Sequence, residues 1–96
     1  MASSKDFLEF VLEQLSLLDD IKVKPMMGEY LLYYKDKLFG GIYDDRFLVK
    51  QTKTNKNFNL PISIPYTGAK PMYMIEDLEN VDLIKEIVLS TYAGLK

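Results

Sequence analysis

A chain of 96 residues leaves room for one domain, which at that size buries roughly 60–70% of the surface its unfolded form exposes. With 48% apolar and 27% charged residues it falls among globular rather than disordered sequences. Cysteine and histidine are both absent, which excludes disulfides, thiolate zinc sites, thiol nucleophiles and every Ser/His/Asp or Cys/His triad, and removes the side chain best suited to proton transfer near neutrality.

The net charge of −2 is unevenly placed: residues 1–20 carry −4, residues 21–70 carry +5 and residues 71–96 carry −3. A basic middle between acidic ends reads either as complementarity between layers of the fold or as the mark of an anionic partner. The first long apolar stretch, Phe7 to Leu18, is broken by Glu9 and Glu13, which spoils a signal-peptide core and a membrane span alike. The expected location is the cytoplasm.

Ser3 followed by Asp6 fits a capping box, and Phe7, Val11, Leu15 and Leu18 recur at helical spacing; together they predict an amphipathic helix ending near Asp19. Ile21 and Val23 then alternate with Lys22 and Lys24 as a short strand stopped by Pro25, with a turn or bulge at Met26-Met27-Gly28. Glu29 to Tyr34, Lys37 to Tyr43 and Arg46 to Gln51 are strand-like runs separated by Lys35-Asp36 and Asp44-Asp45. Two-residue connections of this kind make consecutive hairpins. Thr52 to Asn59 reads as a loop or one weak helical turn, Met72 to Ile75 as a further strand, and Asn80 as the cap of a closing helix carrying Val81, Ile84, Ile87, Val88 and Tyr92, with Gly94 near its end.

The expectation is one domain over residues 1–96. It is a two-layer α+β fold, an antiparallel β-meander with an N-terminal and a C-terminal helix packed on one face. Period-two sorting puts Leu31, Tyr33, Leu38, Gly40, Ile42, Phe47 and Val49 under the helices. The opposite face then collects Tyr30, Leu32, Tyr34, Lys37, Phe39, Gly41, Tyr43, Arg46, Leu48 and Lys50, and a bulge at Gly40-Gly41 would shift this sorting.

That second face is the candidate interaction surface, with Tyr30, Leu32, Tyr34, Phe39, Tyr43, Arg46, Leu48 and Lys50 as its residues. Rings interleaved with cations suit stacked bases and phosphates, with Arg46, Lys50, Lys53 and Lys56 as anion contacts. A second copy of the chain, another protein, or the segment 52–71 of the same chain would cover such a face equally well.

Other features point away from catalysis. The pairs Asp19-Asp20, Asp44-Asp45 and Glu76-Asp77 belong to turns and caps better than to a metal site, since adjacent side chains point apart. The glycines match neither the G-x-G-x-x-G spacing nor a G-K-[ST] ending, and Met26, Met27, Met72 and Met74 read as core filling or as an adaptable surface. Tyr33, Tyr66 and Lys70 are the groups left for proton transfer. No catalytic residue, metal, cofactor or small-molecule substrate is assigned, and protein contact is the favoured role.

The succession Pro25-Met26-Met27-Gly28, then K-L-F-G-G-I-Y-D-D-R-F-L-V-K over Lys37 to Lys50, then Gly68-Ala69-Lys70-Pro71-Met72 resembles the N-terminal domain of the TfoX/Sxy family over nearly the whole chain. The resemblance implies helices on one side of an antiparallel sheet. Longer members of that family regulate natural competence for DNA transformation and carry a second domain of similar length, which this chain, ending at Lys96, is expected to lack. What the resemblance implies is a stand-alone, non-enzymatic regulatory module without established catalytic residues.

Overall fold

The computed structural model describes residues 3–95; residues 1, 2 and 96 of the 1–96 span lie outside the described residues. Helix α1 spans Lys5–Gln14, strands β1 to β4 span Ile21–Met26, Glu29–Tyr34, Lys37–Ile42 and Phe47–Val49, β5 is Ile62–Ser63, β6 is Met72–Met74, and helix α2 spans Val81–Ala93. The six strands form one antiparallel sheet in the order β1-β2-β3-β4-β6-β5. This is the expected α+β architecture, with both helices against one face. Leu8 and Val11 of α1, Leu15 at its C-cap, and Ile84, Ile87 and Val88 of α2 share a buried core with Leu32, Tyr34, Phe39, Ile42, Phe47 and Val49 of the sheet.

Three two-residue turns fold the meander. Met27-Gly28, Lys35-Asp36 and Asp44-Asp45 all have positive φ at both central positions, the mirror-image turn whose twist matches that of the flanking strands. They close on the pairs Met26↔Glu29 and Tyr34↔Lys37 and on the reciprocal bonds between Tyr43 and Arg46.

Beyond the second turn the register departs from the expected sorting. Tyr34↔Lys37 and Tyr33↔Leu38 are followed by Leu32↔Gly40, so Phe39 is the extra residue of a bulge. One inserted residue reverses the parity of β2 relative to β4. Tyr30, Leu32, Tyr34 and Phe39 therefore turn toward the helices rather than away from them, with Leu32, Tyr34 and Phe39 fully within the core and Tyr30 packed partly against it. Leu31 lies on the opposite face, packed against Tyr43 and Leu48. The bulge immediately precedes Gly40-Gly41, where close approach demands glycine: a Cβ at Gly40 would sit 2.2 Å from the Leu48 carbonyl oxygen, and one at Gly41 would sit 2.6 Å from that of Tyr30.

Smaller departures have equally local causes. β1 continues through Pro25 because it is an edge strand, where a missing N–H costs no ladder bond. The helix cap is Ser4, which accepts from the Phe7 N–H at 3.1 Å. Ser3 is buried instead, its hydroxyl donating to Glu29 Oε1 at 2.6 Å and accepting from the Asp45 N–H at 3.1 Å. Glu29 also accepts from the Asp44 N–H at 3.1 Å. One carboxylate thus joins the N-terminal segment to the β3–β4 turn.

Segment 52–59 holds a 3₁₀ turn at Lys56–Phe58, anchored by Asn55. That buried side chain donates to the Lys50 carbonyl and to Thr91 Oγ1, both at 2.8 Å, and accepts from the Thr52 N–H at 2.9 Å. The Thr54 hydroxyl donates to the Ser90 carbonyl, which fastens the segment to the end of α2. Asn80 caps α2, accepting from the Leu83 N–H at 3.1 Å, as its sequence position predicts.

Candidate functional site

The face of the sheet turned away from the helices is covered by residues 61–71, a strap leading through β5 and back to β6. Arg46 holds it down. Its Nε donates to the Tyr43 carbonyl at 3.1 Å, Nη1 to Ser63 Oγ and to the Ile64 carbonyl at 3.0 Å, and Nη2 to the Pro65 carbonyl at 3.2 Å. Gln51 adds a bond from its amide nitrogen to the Pro71 carbonyl at 3.2 Å. A planar guanidinium with its donors in a fixed fork suits this role, because several carbonyls of one turning segment can be held together.

Beneath the strap Tyr43, Leu48 and Met72 form a second buried cluster, with Leu31 and Met74 packed on it. A groove of about 810 Å³ opens beside that cluster. Its walls include Met26, Leu31, Leu38 and Met72 from the sheet, and Pro65, Tyr66 and Pro71 from the strap. The rings of Tyr43 and Tyr66 stand 6.1 Å apart at 49°. Burial raises the Tyr43 pKa above the usual tyrosine value of 10.0, and the neighbouring Tyr66, Glu29 and Tyr33 raise it further.

Lys50 and Lys70 also line the groove. Neither has a carboxylate within ion-pair distance: among the described residues the one such pair is Lys22 with Asp36, 2.7 Å apart on the far edge of the sheet. The basic middle of the chain is therefore not neutralised by close ion pairs with the acidic helices.

The expected interaction surface is thus divided between two places. Leu32, Tyr34 and Phe39 are buried under the helices, where the Tyr34 ring meets Tyr92 edge-on at 5.0 Å between centroids. Tyr43 and Leu48 stay on the opposite face but lie under the strap. Covering by the segment 52–71, one of the alternatives open in the sequence, accounts for these two residues. A base cannot stack on Tyr34 or Phe39 at 7% and 0% exposure.

The four anion contacts are separated as well. Arg46 is committed to the strap, and Lys53 and Lys56 stand exposed on the segment fastened to α2, leaving Lys50 in the groove. Of the proton-transfer candidates, Tyr66 and Lys70 line the groove while Tyr33 does not. The acid pairs lie exposed outside the strands, Asp44-Asp45 forming a turn. Among the described residues no three of Asp and Glu converge as metal ligands.

Two contributions escaped sequence reasoning. The strap strand β5 is only two residues long and flanked by Pro61 and Pro65, which masks it. Lys70 could be paired with Lys50 only once β6 was known to lie beside β4.

Fold and groove together define a two-layer α+β domain with an apolar, cation-bearing cleft on the sheet face opposite its helices. No family model matches the chain. It is 33% identical over 98 residues to an "Uncharacterized 12.7 kDa protein in trpE 5'region" from Spirochaeta aurantia, in an alignment that covers 99% of this chain and 85% of that protein. The chain belongs to the same family as that spirochaete protein. Among the described residues no helix is long and apolar enough to cross a membrane.

Proposed function

We propose that the protein is a cytoplasmic, non-enzymatic regulatory module that acts through protein contact as a homodimer. The role is the one implied by its resemblance to the N-terminal domain of the TfoX/Sxy competence regulators. The observation that carries the reading is the outer side of the strap. Ile62, Ile64 and Tyr66 recur there at a spacing of two and are 63%, 54% and 57% exposed. Met26, itself partly exposed, lines the same groove as Tyr66 and extends the apolar surface.

A strip of large apolar side chains on one edge of a small domain marks a contact surface, and the same strip on a second copy complements it about a two-fold axis. The groove's titratable lining consists of Tyr43, Tyr66, Lys50 and Lys70, and its predominantly apolar walls suit binding.

Sedimentation equilibrium over a wide concentration range tests the dimer. The parent is expected to move from monomer toward dimer mass as concentration rises, and the double variant Ile62→Lys/Ile64→Lys to stay monomeric. A parent that is monomeric throughout, or a double variant that dimerises as well as the parent, overturns it.

A further inference from the structure

The groove under the strap has the dimensions and chemistry of a ligand site in its own right. Its volume of about 810 Å³ lies within the roughly 300–1,000 Å³ common to small-molecule sites. Its walls are predominantly apolar, and two of them, Met26 and Met72, are thioethers that adapt to the shape of what they cover. Tyr66, 57% exposed, offers its ring to a flat or extended apolar body, and the buried Tyr43 ring backs it at 6.1 Å.

Polar groups are few and of one sign. Lys50 and Lys70 are the charged residues of the lining, no acid stands among the lining residues, and neither lysine makes an ion pair. Two unneutralised cations beside an apolar cavity, in a chain whose net charge is −2, are complementary to a negative head group. Next to low-dielectric walls they attract it more strongly than in open water. The nearby guanidinium does not compete, since Arg46 is already bonded to the strap.

We infer that the groove binds a small amphiphilic anion: an aromatic or acyl body lying along Met26, Leu31, Leu38 and Met72, with its carboxylate, sulfonate or phosphate head held by Lys50 and Lys70. This goes beyond the proposed protein contact, with which it shares Met26 and Tyr66 but neither the exposed Ile62 and Ile64 nor the two lysines. The contact relies on side chains projecting from the strap, and the ligand on the space beneath it.

Two probes that share their rings and differ in charge test it on the full chain. These are 1-anilinonaphthalene-8-sulfonate and the uncharged N-phenyl-1-naphthylamine, with fluorescence giving affinity and amide shifts locating the site. Both are expected to move amides of residues 26, 31, 38, 43, 50, 51, 66, 69, 70 and 72. The double variant Lys50→Gln/Lys70→Gln, folded by circular dichroism, is expected to weaken the sulfonate by about tenfold, consistent with two partly exposed ion pairs, and to leave the uncharged probe within about twofold.

Shifts that fall elsewhere, equal weakening of both probes, or no weakening of the sulfonate overturn the inference. A monomeric parent that still binds the sulfonate in the groove removes the dimer and keeps the site. A dimer whose groove takes neither probe removes the site and keeps the dimer.

Discussion

Replacing Gly40 by alanine tests whether the close approach of β3 and β4 holds the two sides of the sheet in register. The new Cβ would lie 2.2 Å from the Leu48 carbonyl oxygen and 2.9 Å from the Val49 Cα, whereas ordinary contact begins at 3.4 Å. Both obstacles are backbone, so no rotamer change relieves them. The strands must part by 1.2 Å, the difference between 3.4 Å and 2.2 Å. The adjoining bond from the Lys50 N–H to the Phe39 carbonyl is 2.8 Å long, and a parting of that size stretches it beyond hydrogen-bond range.

Overpacking costs about 1–3 kcal/mol and a buried polar group left unpaired costs about 1–3 kcal/mol, so a loss of roughly 2–6 kcal/mol is expected from the two together. In a domain of this size that lowers the melting temperature by at least about 8 °C. Gly68→Ala is the control. Its φ is +88° but nothing lies within 4 Å of the added Cβ, so it bears only left-handed backbone strain of about 1–2 kcal/mol. Thermal and urea unfolding followed by circular dichroism compares the two. If Gly40→Ala melts no lower than Gly68→Ala, the close approach does not govern the register.

Two further outcomes follow from the strap and the tyrosine beneath it. Arg46→Ala removes bonds to Ser63, Ile64 and Pro65. Amide exchange and protease cleavage within residues 61–71 are expected to rise by at least about tenfold while α1 and α2 keep their protection, consistent with a loss of roughly 1.5–3 kcal/mol of charge-assisted bonding; uniform exchange across the chain contradicts a local clamp. Tyr43→Phe tests alkaline stability. The folded pKa of Tyr43 lies above its unfolded value near 10.0 because of burial and its neighbours. Its contribution is therefore fully present below that value and is lost as pH rises toward the folded pKa. The parent melting temperature is expected to fall more steeply than that of Tyr43→Phe above about pH 10, and parallel curves would refute the assignment.

Much of the architecture could be read from the sequence because it rests on local signals. Two-residue spacers between apolar runs gave the hairpins and the pair Tyr34↔Lys37, and Asn80 before Val81 gave the start of α2. The facing of β2 could not be read. Tyr30, Leu32 and Tyr34 are as apolar as Leu31 and Tyr33, so alternation did not choose between them. The choice was made by one extra residue at Phe39, next to the close approach of β3 and β4 at Gly40.

The candidate site was illegible for the same reason, since its position depends on which face the helices leave open. Arg46 looked like a free cation because the carbonyls it holds lie 18 and 19 residues away at Ile64 and Pro65. Ser3 looked like a cap because its carboxylate partner is 26 residues distant.

The strap has a kinetic consequence. The meander from β1 to β4 is built from neighbouring hairpins whose loop closure is short, whereas the bonds of Arg46 to the strap close loops of 17 to 19 residues. Short-range contacts form early and long-range ones late, so the bonds of Arg46 belong to the downhill side of the folding barrier. Weakening them should steepen escape from the native state and leave the speed of reaching it unchanged. In a chevron plot Arg46→Ala is then expected to raise the unfolding limb alone, and a matching drop in the folding limb would show instead that the strap helps to nucleate the fold.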